Sequence, residues 1–151
     1  VLILTGIYSC VQAQSASIQF INEEGKSISA DPAKLNSIKV KAIGHDGKIH
    51  EYSGPLLSDF LSRAGVILGE PAKRQTVSSY IVIKAADNYK CMFTLAEIDP
   101  LFASTSIIIA TSVDGKSLPE NNGPFQIIAP GDKKHGRWIR QVQSIELHVL
   151  K

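Results

Sequence analysis

Short apolar runs, each ended by a turn, constrain the fold of this chain more than any other feature. Residues 80–85 (YIVIKA) are rich in β-branched side chains and predict a central strand. Residues 17–22 alternate apolar and polar side chains, as do residues 38–42, which predicts two half-buried strands. Further strands are predicted at residues 48–52, 89–93, 107–111, 125–129 and 142–150.

Turn and capping signals separate these runs. Asp46-Gly47 predicts a hairpin between the strands at 38–42 and 48–52. Asp87-Asn88 predicts a second turn, between the strands at 80–85 and 89–93.

Helical signals are short and irregularly placed. Asp31-Pro32 predicts a short helix over 32–36, and residues 53–65 carry the clearest helical spacing. Thr94 and Glu97 form a capping box that predicts a short helix ended by Asp99-Pro100. Because strands outnumber helices and helices interrupt them irregularly, the chain is predicted to be α+β.

The first residues differ in composition from the rest of the chain. Residues 1–13 are apolar and uncharged and end in the small-x-small pattern Val11-Gln12-Ala13, which predicts the apolar and cleavage regions of a secretory signal. The alternatives are a buried first strand or helix, and a lipoprotein signal ending at Cys10. Residues 14–151 are then expected to form one exported domain, periplasmic or secreted, with no membrane span.

Composition excludes some classes of function. The net charge is +2, acids and bases alternate, and the few aromatic residues show no stacking pattern, so nucleic acid is not an expected partner. If Cys10 is removed with a cleaved signal, Cys91 is the one cysteine left in residues 14–151. A single cysteine can form neither an internal disulfide nor a thiolate metal cluster. On its apolar strand, Cys91 is expected to be buried and inert.

The main candidate site is a basic segment within residues 130–147 (PGDKKHGRWIRQVQSIEL). Backbone amides of residues 131–134 and the nearby cations could form a nest for a phosphate or carboxylate. In the alternative, the lysines are solvated, the arginines pair with surface acids, and Trp138 is a core residue whose indole N–H requires a partner. The predicted anion-binding residues are Lys133, Lys134, His135, Arg137 and Arg140.

Two turns supply the secondary candidates, His45, Asp87 and Tyr89. His45 and Asp46 stand at a hairpin tip and could be metal ligands or a catalytic pair, although an Asp-Gly turn alone explains the aspartate. Asp87 and Tyr89 flank the second turn, where the alternative is ordinary hairpin packing. No two histidines have helical i, i+4 spacing and no serine lies in a nucleophile elbow, so no catalytic or metal-ligating residue is predicted.

Three segments together carry a family resemblance: residues 52–66 (YSGPLLSDFLSRAGV), 80–100 (YIVIKAADNYKCMFTLAEIDP) and 114–147 (DGKSLPENNGPFQIIAPGDKKHGRWIRQVQSIEL). They resemble the sulfite oxidase-like molybdopterin-binding domain, and most of all its small, exported, stand-alone members. The resemblance runs from about Leu35 to Leu147. It implies an α+β fold with a mixed, curved sheet flanked by short helices.

The resemblance also implies a cofactor, with one departure. In catalytic members a cysteine thiolate holds molybdenum, and basic and backbone groups grip the pterin phosphate. That cysteine stands just before the helix that begins with the glycine–proline pattern, where residues 38–46 here (IKVKAIGHD) contain none. Neither alanine nor isoleucine has a donor atom that could replace a thiolate as a soft metal ligand. Molybdopterin is therefore a possible cofactor by resemblance only.

Three functional hypotheses follow. The first is an exported, non-catalytic binding module that keeps a basic pocket for an anionic small molecule or an exported redox protein. The second is a molybdopterin-dependent oxidoreductase whose metal is held only through the pterin. The third is a structural domain without a small-molecule ligand. The missing cysteine favours the first over the second, and the basic segment favours it over the third.

Overall fold

The computed structural model describes residues 16–151, so the predicted secretory signal and Cys10 lie outside the described residues. The strands in that range are β1 Ile18–Ile21, β2 Ser27–Ala30, β3 Ile38–Ile43, β4 Ile49–Gly54, β5 Ser79–Ala85, β6 Lys90–Thr94, β7 Ile108–Ala110, β8 Ser112–Val113, β9 Lys116–Ser117, β10 Gln126–Ile128 and β11 Val142–Val149. The α-helices are α1 Leu57–Arg63, α2 Lys73–Thr76 and α3 Leu95–Ile98, and single 3-10 turns cover Pro32–Lys34, Glu70–Ala72 and His135–Arg137.

The largest sheet has five strands in the order β2-β1-β11-β5-β6 and is mixed. β1 pairs parallel with β11, and the other neighbours pair antiparallel. β5, predicted to be central, lies inside this sheet between β11 and β6. Alternate β5 residues, Ile81, Ile83 and Ala85, point into the core, so the period-2 pattern there reflects one buried face.

The remaining strands form a four-stranded sheet, β3-β4-β8-β9, and a β10-β7 pair. β4 and β7 approach closely at Gly54, where a Cβ atom would overlap the backbone carbonyl of Ile109. Only glycine permits this approach. The amide of Thr111 donates to the carbonyl of Ser53 at 2.8 Å, which joins the two strands next to that point.

One hydrophobic cluster lies between these sheets and the helices. Helix α1 contributes Leu57, Phe60 and Leu61, all without exposed surface, at the predicted helical spacing. Trp138 belongs to the same cluster and is 3% exposed. Its position ties the basic segment of the sequence to the core.

Most sequence-predicted elements are confirmed. Gly65, two residues after the end of α1, has a positive φ of 98°, as expected of a glycine that follows a helix. Asn88 adopts a left-handed φ of 68° in the predicted turn between β5 and β6. Both hydrogen bonds of the predicted capping box are present: the Thr94 side chain accepts from the Glu97 amide, and the Glu97 side chain accepts from the Thr94 amide. The α+β class with a mixed sheet is confirmed, and the strands are divided among three sheets.

The differences concern short or exposed elements. The helix predicted at 32–36 is a single 3-10 turn, because Leu35 is already extended. Strand β2 was not predicted, since its side chains are mostly exposed and polar. The two-residue strands β8 and β9 flank Asp114-Gly115 and are too short for a periodic signal. Among the described residues, the helices are all too short or too polar to cross a bilayer.

Candidate functional site

A pocket of about 340 Å³ opens between four segments that are distant in sequence: the β3–β4 loop, the β5–β6 turn, the β9–β10 loop and the segment leading into β11. It brings together five of the predicted candidates, which are His45, Asp87, Tyr89, His135 and Arg140. Its other lining residues are Ala85, Asn121, Gly136, Trp138, Ile139 and Gln141. All three secondary candidates and two of the five predicted anion-binding residues, His135 and Arg140, therefore line one pocket.

Trp138 fixes the position of the imidazoles. Its indole N–H donates to the carbonyl of Ala129 at 2.9 Å, so the partner that a buried indole requires is present. The ring of His135 stacks on Trp138 with 4.0 Å between centroids. His45 meets His135 edge to face at 4.5 Å, and Tyr52 packs edge-on against the indole at 5.7 Å.

The imidazoles and the guanidinium that line the pocket lack carboxylate partners. Within residues 16–151, no carboxylate lies within 4.0 Å of a side-chain nitrogen of His45, His135 or Arg140. Burial lowers the pKa of His45, and the nearby His135 and Arg140 lower it further. Asp87 also lines the pocket, and its Oδ1 accepts a hydrogen bond from the Tyr89 amide at 2.9 Å.

Tyr89 forms one wall of the pocket. Its hydroxyl donates to the carbonyl of Gly136 at 2.8 Å and connects the β5–β6 turn to the 3-10 turn His135–Arg137. The side chain nevertheless remains 51% exposed, so its ring is available to a ligand. Tyr89 thus joins two walls of the pocket and presents an aromatic surface.

Arg137 lies outside this pocket and is neutralised within the protein. Its Nη2 and Nε donate to the two carboxylate oxygens of Asp132 at 2.7 and 2.9 Å, and its Nη1 donates to Glu97 at 2.8 Å. The guanidinium also lies 4.2 Å from the centroid of the Phe93 ring. This arrangement matches the alternative in which Arg137 pairs with acids.

The ion pairs shift the ionisation of both partners. Hydrogen bonding to Asp132, and then to Glu97, raises the pKa of Arg137. Burial alone would raise the pKa of Glu97, but hydrogen bonds from Arg137 and Thr94 outweigh it and hold that pKa below its ordinary value. The capping box and the ion pair therefore share one carboxylate.

The rest of the predicted nest is not gathered around the pocket. Lys133 and Lys134 are exposed and do not line it. The amide of Asp132 is already bonded to the carbonyl of Ala129 at 3.0 Å. The pocket's imidazoles and guanidinium therefore come from several segments rather than from consecutive residues of one loop.

A second cluster, not predicted from sequence, joins two hairpins beside the pocket. His50 on β4 is held between Asp114 Oδ2, 2.6 Å from Nδ1, and Asp46 Oδ2, 2.9 Å from Nε2. Hydrogen bonds to Asp114 and then Asp46 raise the pKa of His50. Asp46 and His50 are four residues apart, but Asp114 is 64 residues from His50, and no sequence pattern indicates that contact.

Both carboxylates of this cluster also bind backbone amides. Asp46 accepts from Lys48 N–H at 3.0 Å, and Asp114 accepts from Glu51 N–H at 2.9 Å. These bonds are the largest cause of the lowered pKa of each aspartate, followed by the hydrogen bond to His50. Among residues 16–151, no group of three or more histidine, cysteine, aspartate or glutamate side chains is arranged so that it could hold a metal ion.

Cys91 is separate from the pocket. It lies on β6, partly buried, with its Sγ 3.9 Å from the carbonyl oxygen of Arg137. Burial raises the pKa of its thiol to about 11. At neutral pH the side chain is a thiol, so it lacks the negative sulfur that metals and electrophiles require.

The fold and the pocket together define a class: a small α+β domain with a polar pocket that is lined by residues of several loops and turns. A family model of the oxidoreductase molybdopterin-binding domain matches residues 22–149, and the chain belongs to that family. It is a domain of the molybdopterin-binding oxidoreductase type, as the sequence resemblance predicted. Comparison with curated proteins gave no match.

The donor set does not fit a molybdenum centre bound through a chain thiolate. Residues 38–46, where the resemblance expects the ligand, contain no cysteine. Cys91 does not line the pocket, and its thiol is protonated at neutral pH. The pocket offers imidazole, guanidinium and phenol groups and the carboxylate of Asp87. Its imidazoles and guanidinium can donate hydrogen bonds to an oxyanion, and its described residues supply no sulfur donor for a soft metal.

Proposed function

We propose that this chain is an exported, non-catalytic binding module that holds an anionic small molecule in the pocket of His45, Tyr89, His135 and Arg140. One observation carries the proposal: the imidazoles of His45 and His135 and the guanidinium of Arg140 lack carboxylate partners within residues 16–151. Elsewhere Arg137 and His50 each bind two carboxylates. The guanidinium of Arg140 and the two imidazoles are therefore left free to donate hydrogen bonds to a ligand.

The expected affinity is modest. A hydrogen bond to a charged group contributes about 1.5 to 3 kcal/mol, and part of that free energy offsets the loss of ligand freedom. Two or three such bonds in an open pocket correspond to dissociation constants of roughly micromolar to millimolar. A ligand whose ring also packs on Tyr89 would bind at the tighter end of that range.

Export and the nature of the partner rest on other features. Export is inferred from residues 1–13, with their apolar composition and Val11-Gln12-Ala13 pattern. An exported redox protein is the alternative partner. A concave pocket with converging polar groups suits a small anion better, because protein interfaces are generally broad.

Family membership supports a second candidate, the oxidoreductase whose metal is held only through the pterin. Because no thiolate lines the pocket among residues 16–151, the metal of such an enzyme would lack the chain ligand that the catalytic members use. Metal analysis of protein purified from a molybdenum-replete host separates the two candidates. Stoichiometric molybdenum would establish the enzyme hypothesis, and its absence from protein that binds anions would support the module.

A thermal-unfolding screen with sulfate, inorganic phosphate and a pterin phosphate tests anion binding. At about 100 times its dissociation constant, a ligand stabilises the folded state by about 2.7 kcal/mol, which raises the midpoint of a domain of this size by roughly 5 to 10 °C. Arg140→Gln should remove most of the increase. Arg63→Gln, a change at a cation that does not line the pocket, is the matched control and should preserve it.

The three ligands also identify what the pocket recognises. An increase with every anion supports recognition of the oxyanion, whereas an increase with the pterin phosphate alone indicates that the ring is required. No increase with any of them contradicts the proposal and leaves the structural-domain hypothesis.

A further inference from the structure

The imidazoles of His45 and His135 both line the pocket and contact each other. Their ring centroids are 4.5 Å apart in an edge-to-face arrangement. Two imidazolium ions at this distance repel each other, and the adjacent guanidinium of Arg140 adds to the repulsion. Without a ligand, the pocket therefore disfavours full protonation of the pair.

The neighbouring acids make their short contacts with groups other than the two pocket imidazoles. Asp46 follows His45 in the hairpin loop, but its carboxylate binds His50 and the amide of Lys48. Asp87, from the β5–β6 turn, bonds through Oδ1 to the Tyr89 amide. Neither aspartate makes an ion pair with either pocket imidazole.

The other side chains near the two imidazoles do not act as counterions for them either. Lys134 precedes His135 in sequence and adds positive charge, while Tyr52 and Tyr89 are phenols. Trp138 stacks under His135 and is uncharged. The lowered pKa of His45, caused by burial, His135 and Arg140, agrees with a ligand-free pair that resists protonation.

We propose that the pocket takes up an oxyanion and a proton together, with the proton drawn from solvent and carried by the imidazole pair. This inference rests on the proposed anion-binding function. A bound oxyanion supplies the missing negative charge, so it favours the protonated form of the pair. Protonated imidazole, in turn, donates hydrogen bonds from both ring nitrogens. Binding and protonation therefore strengthen each other, and affinity falls as pH rises.

The test uses sulfate, whose charge does not change over the relevant pH range. Its dissociation constant is measured calorimetrically from about pH 5 to about pH 8, the range in which imidazoles titrate. For one proton taken up, the constant should increase about tenfold per pH unit in the steepest part of the curve. Repeating the titration in two buffers of different ionisation enthalpy measures the proton uptake directly.

His45→Gln and His135→Gln identify the groups that carry the proton. Each should flatten the pH dependence, and its affinity at low pH should approach that of the wild type at high pH. His148→Gln is the matched control, because His148 stacks on Tyr80 with 5.1 Å between centroids and does not line the pocket. Wild-type pH dependence in both pocket variants, or its loss in the control, would overturn the assignment.

A second measurement needs no variant. Histidine ring signals in the NMR spectrum of the wild type are followed against pH, and sulfate should raise the titration midpoint of His45. Sulfate binding with no pH dependence and no proton uptake would overturn this inference while leaving the proposed function intact. No sulfate binding at any pH would contradict both.

Discussion

The guanidinium of Arg137 forms a two-pronged ion pair with the carboxylate of Asp132, with nitrogen–oxygen distances of 2.7 and 2.9 Å. Glu97 binds a third nitrogen of the same guanidinium at 2.8 Å. Arg137 thereby ties the basic segment to the first turn of α3. Its role in the structure is to connect these two parts of the fold, whereas Arg140, three residues later, lines the pocket.

Arg137→Ala should therefore reduce stability more than anion binding. The loss of its charge-assisted hydrogen bonds is expected to cost about 1 to 2 kcal/mol, a figure discounted because the side chain is 33% exposed. Urea denaturation measures the free energy of unfolding, and the sulfate-induced increase in midpoint should persist. Arg140→Gln should show the opposite pattern. Loss of the sulfate effect in folded Arg137→Ala would place Arg137 in the binding site.

The cluster of His50 with Asp46 and Asp114 predicts a pH-dependent contribution to stability. The pKa of His50 is raised above 6.5, so its contribution is complete below about pH 6.5 and is lost as pH rises through the raised value. The pKa values of both aspartates are lowered below 3.8, so their contribution is lost only as pH falls through those lowered values.

His50→Gln should consequently destabilise the protein more near pH 6 than near pH 9, as measured by thermal unfolding across that range. Asp114→Asn is the partner variant, since asparagine tolerates the positive φ of 50° found at this position. It should show the same trend. A stability difference that does not change with pH would contradict this account of the cluster.

Gly54 is predicted to be intolerant of any side chain. In Gly54→Ala the new Cβ would overlap the backbone carbonyl of Ile109, so β4 and β7 would have to separate. We expect a loss of about 3 kcal/mol or more. Gly136→Ala is the matched control, because a Cβ there meets no atom within 4 Å, and it should change stability by less than about 0.5 kcal/mol. Chemical denaturation of both variants measures the difference.

Cys91 should react slowly with alkylating agents while the protein is folded. With the thiol pKa raised to about 11, the thiolate fraction near pH 8 is small. Alkylation by iodoacetamide should be on the order of a hundredfold slower than in the unfolded chain. Mass spectrometry of the peptide containing Cys91 follows this residue separately from Cys10. Equal rates in folded and unfolded protein would show that the thiol is neither buried nor electrostatically suppressed.

Local patterns predicted the local structure well. The alternation in β5, the helical spacing of α1 and the capping box of Thr94 and Glu97 all depend on residues within a few positions of one another. The exposed strand β2 and the two-residue strands β8 and β9 lacked such a signal. Their pairing depends on neighbouring strands rather than on their own side chains.

The candidate site was predicted in its components but not in its arrangement. Sequence reasoning named His45, His135 and Arg140, and it also grouped Arg137 with the lysines at 133 and 134 because they are adjacent in the chain. Adjacency does not determine which way each side chain points. The structure directs Arg137 towards Asp132 and Glu97, and it brings His45 to His135 across 90 residues.

The amino-acid sequence by itself determined the α+β class, the main turns and the membership of the molybdopterin-binding oxidoreductase domains, because these depend on local periodicity and on motifs along the chain. Only the tertiary structure decided which cations are neutralised and which share the pocket. Electrostatic pairing depends on distances through space of a few ångströms, and strand pairing sets those distances between residues far apart in sequence.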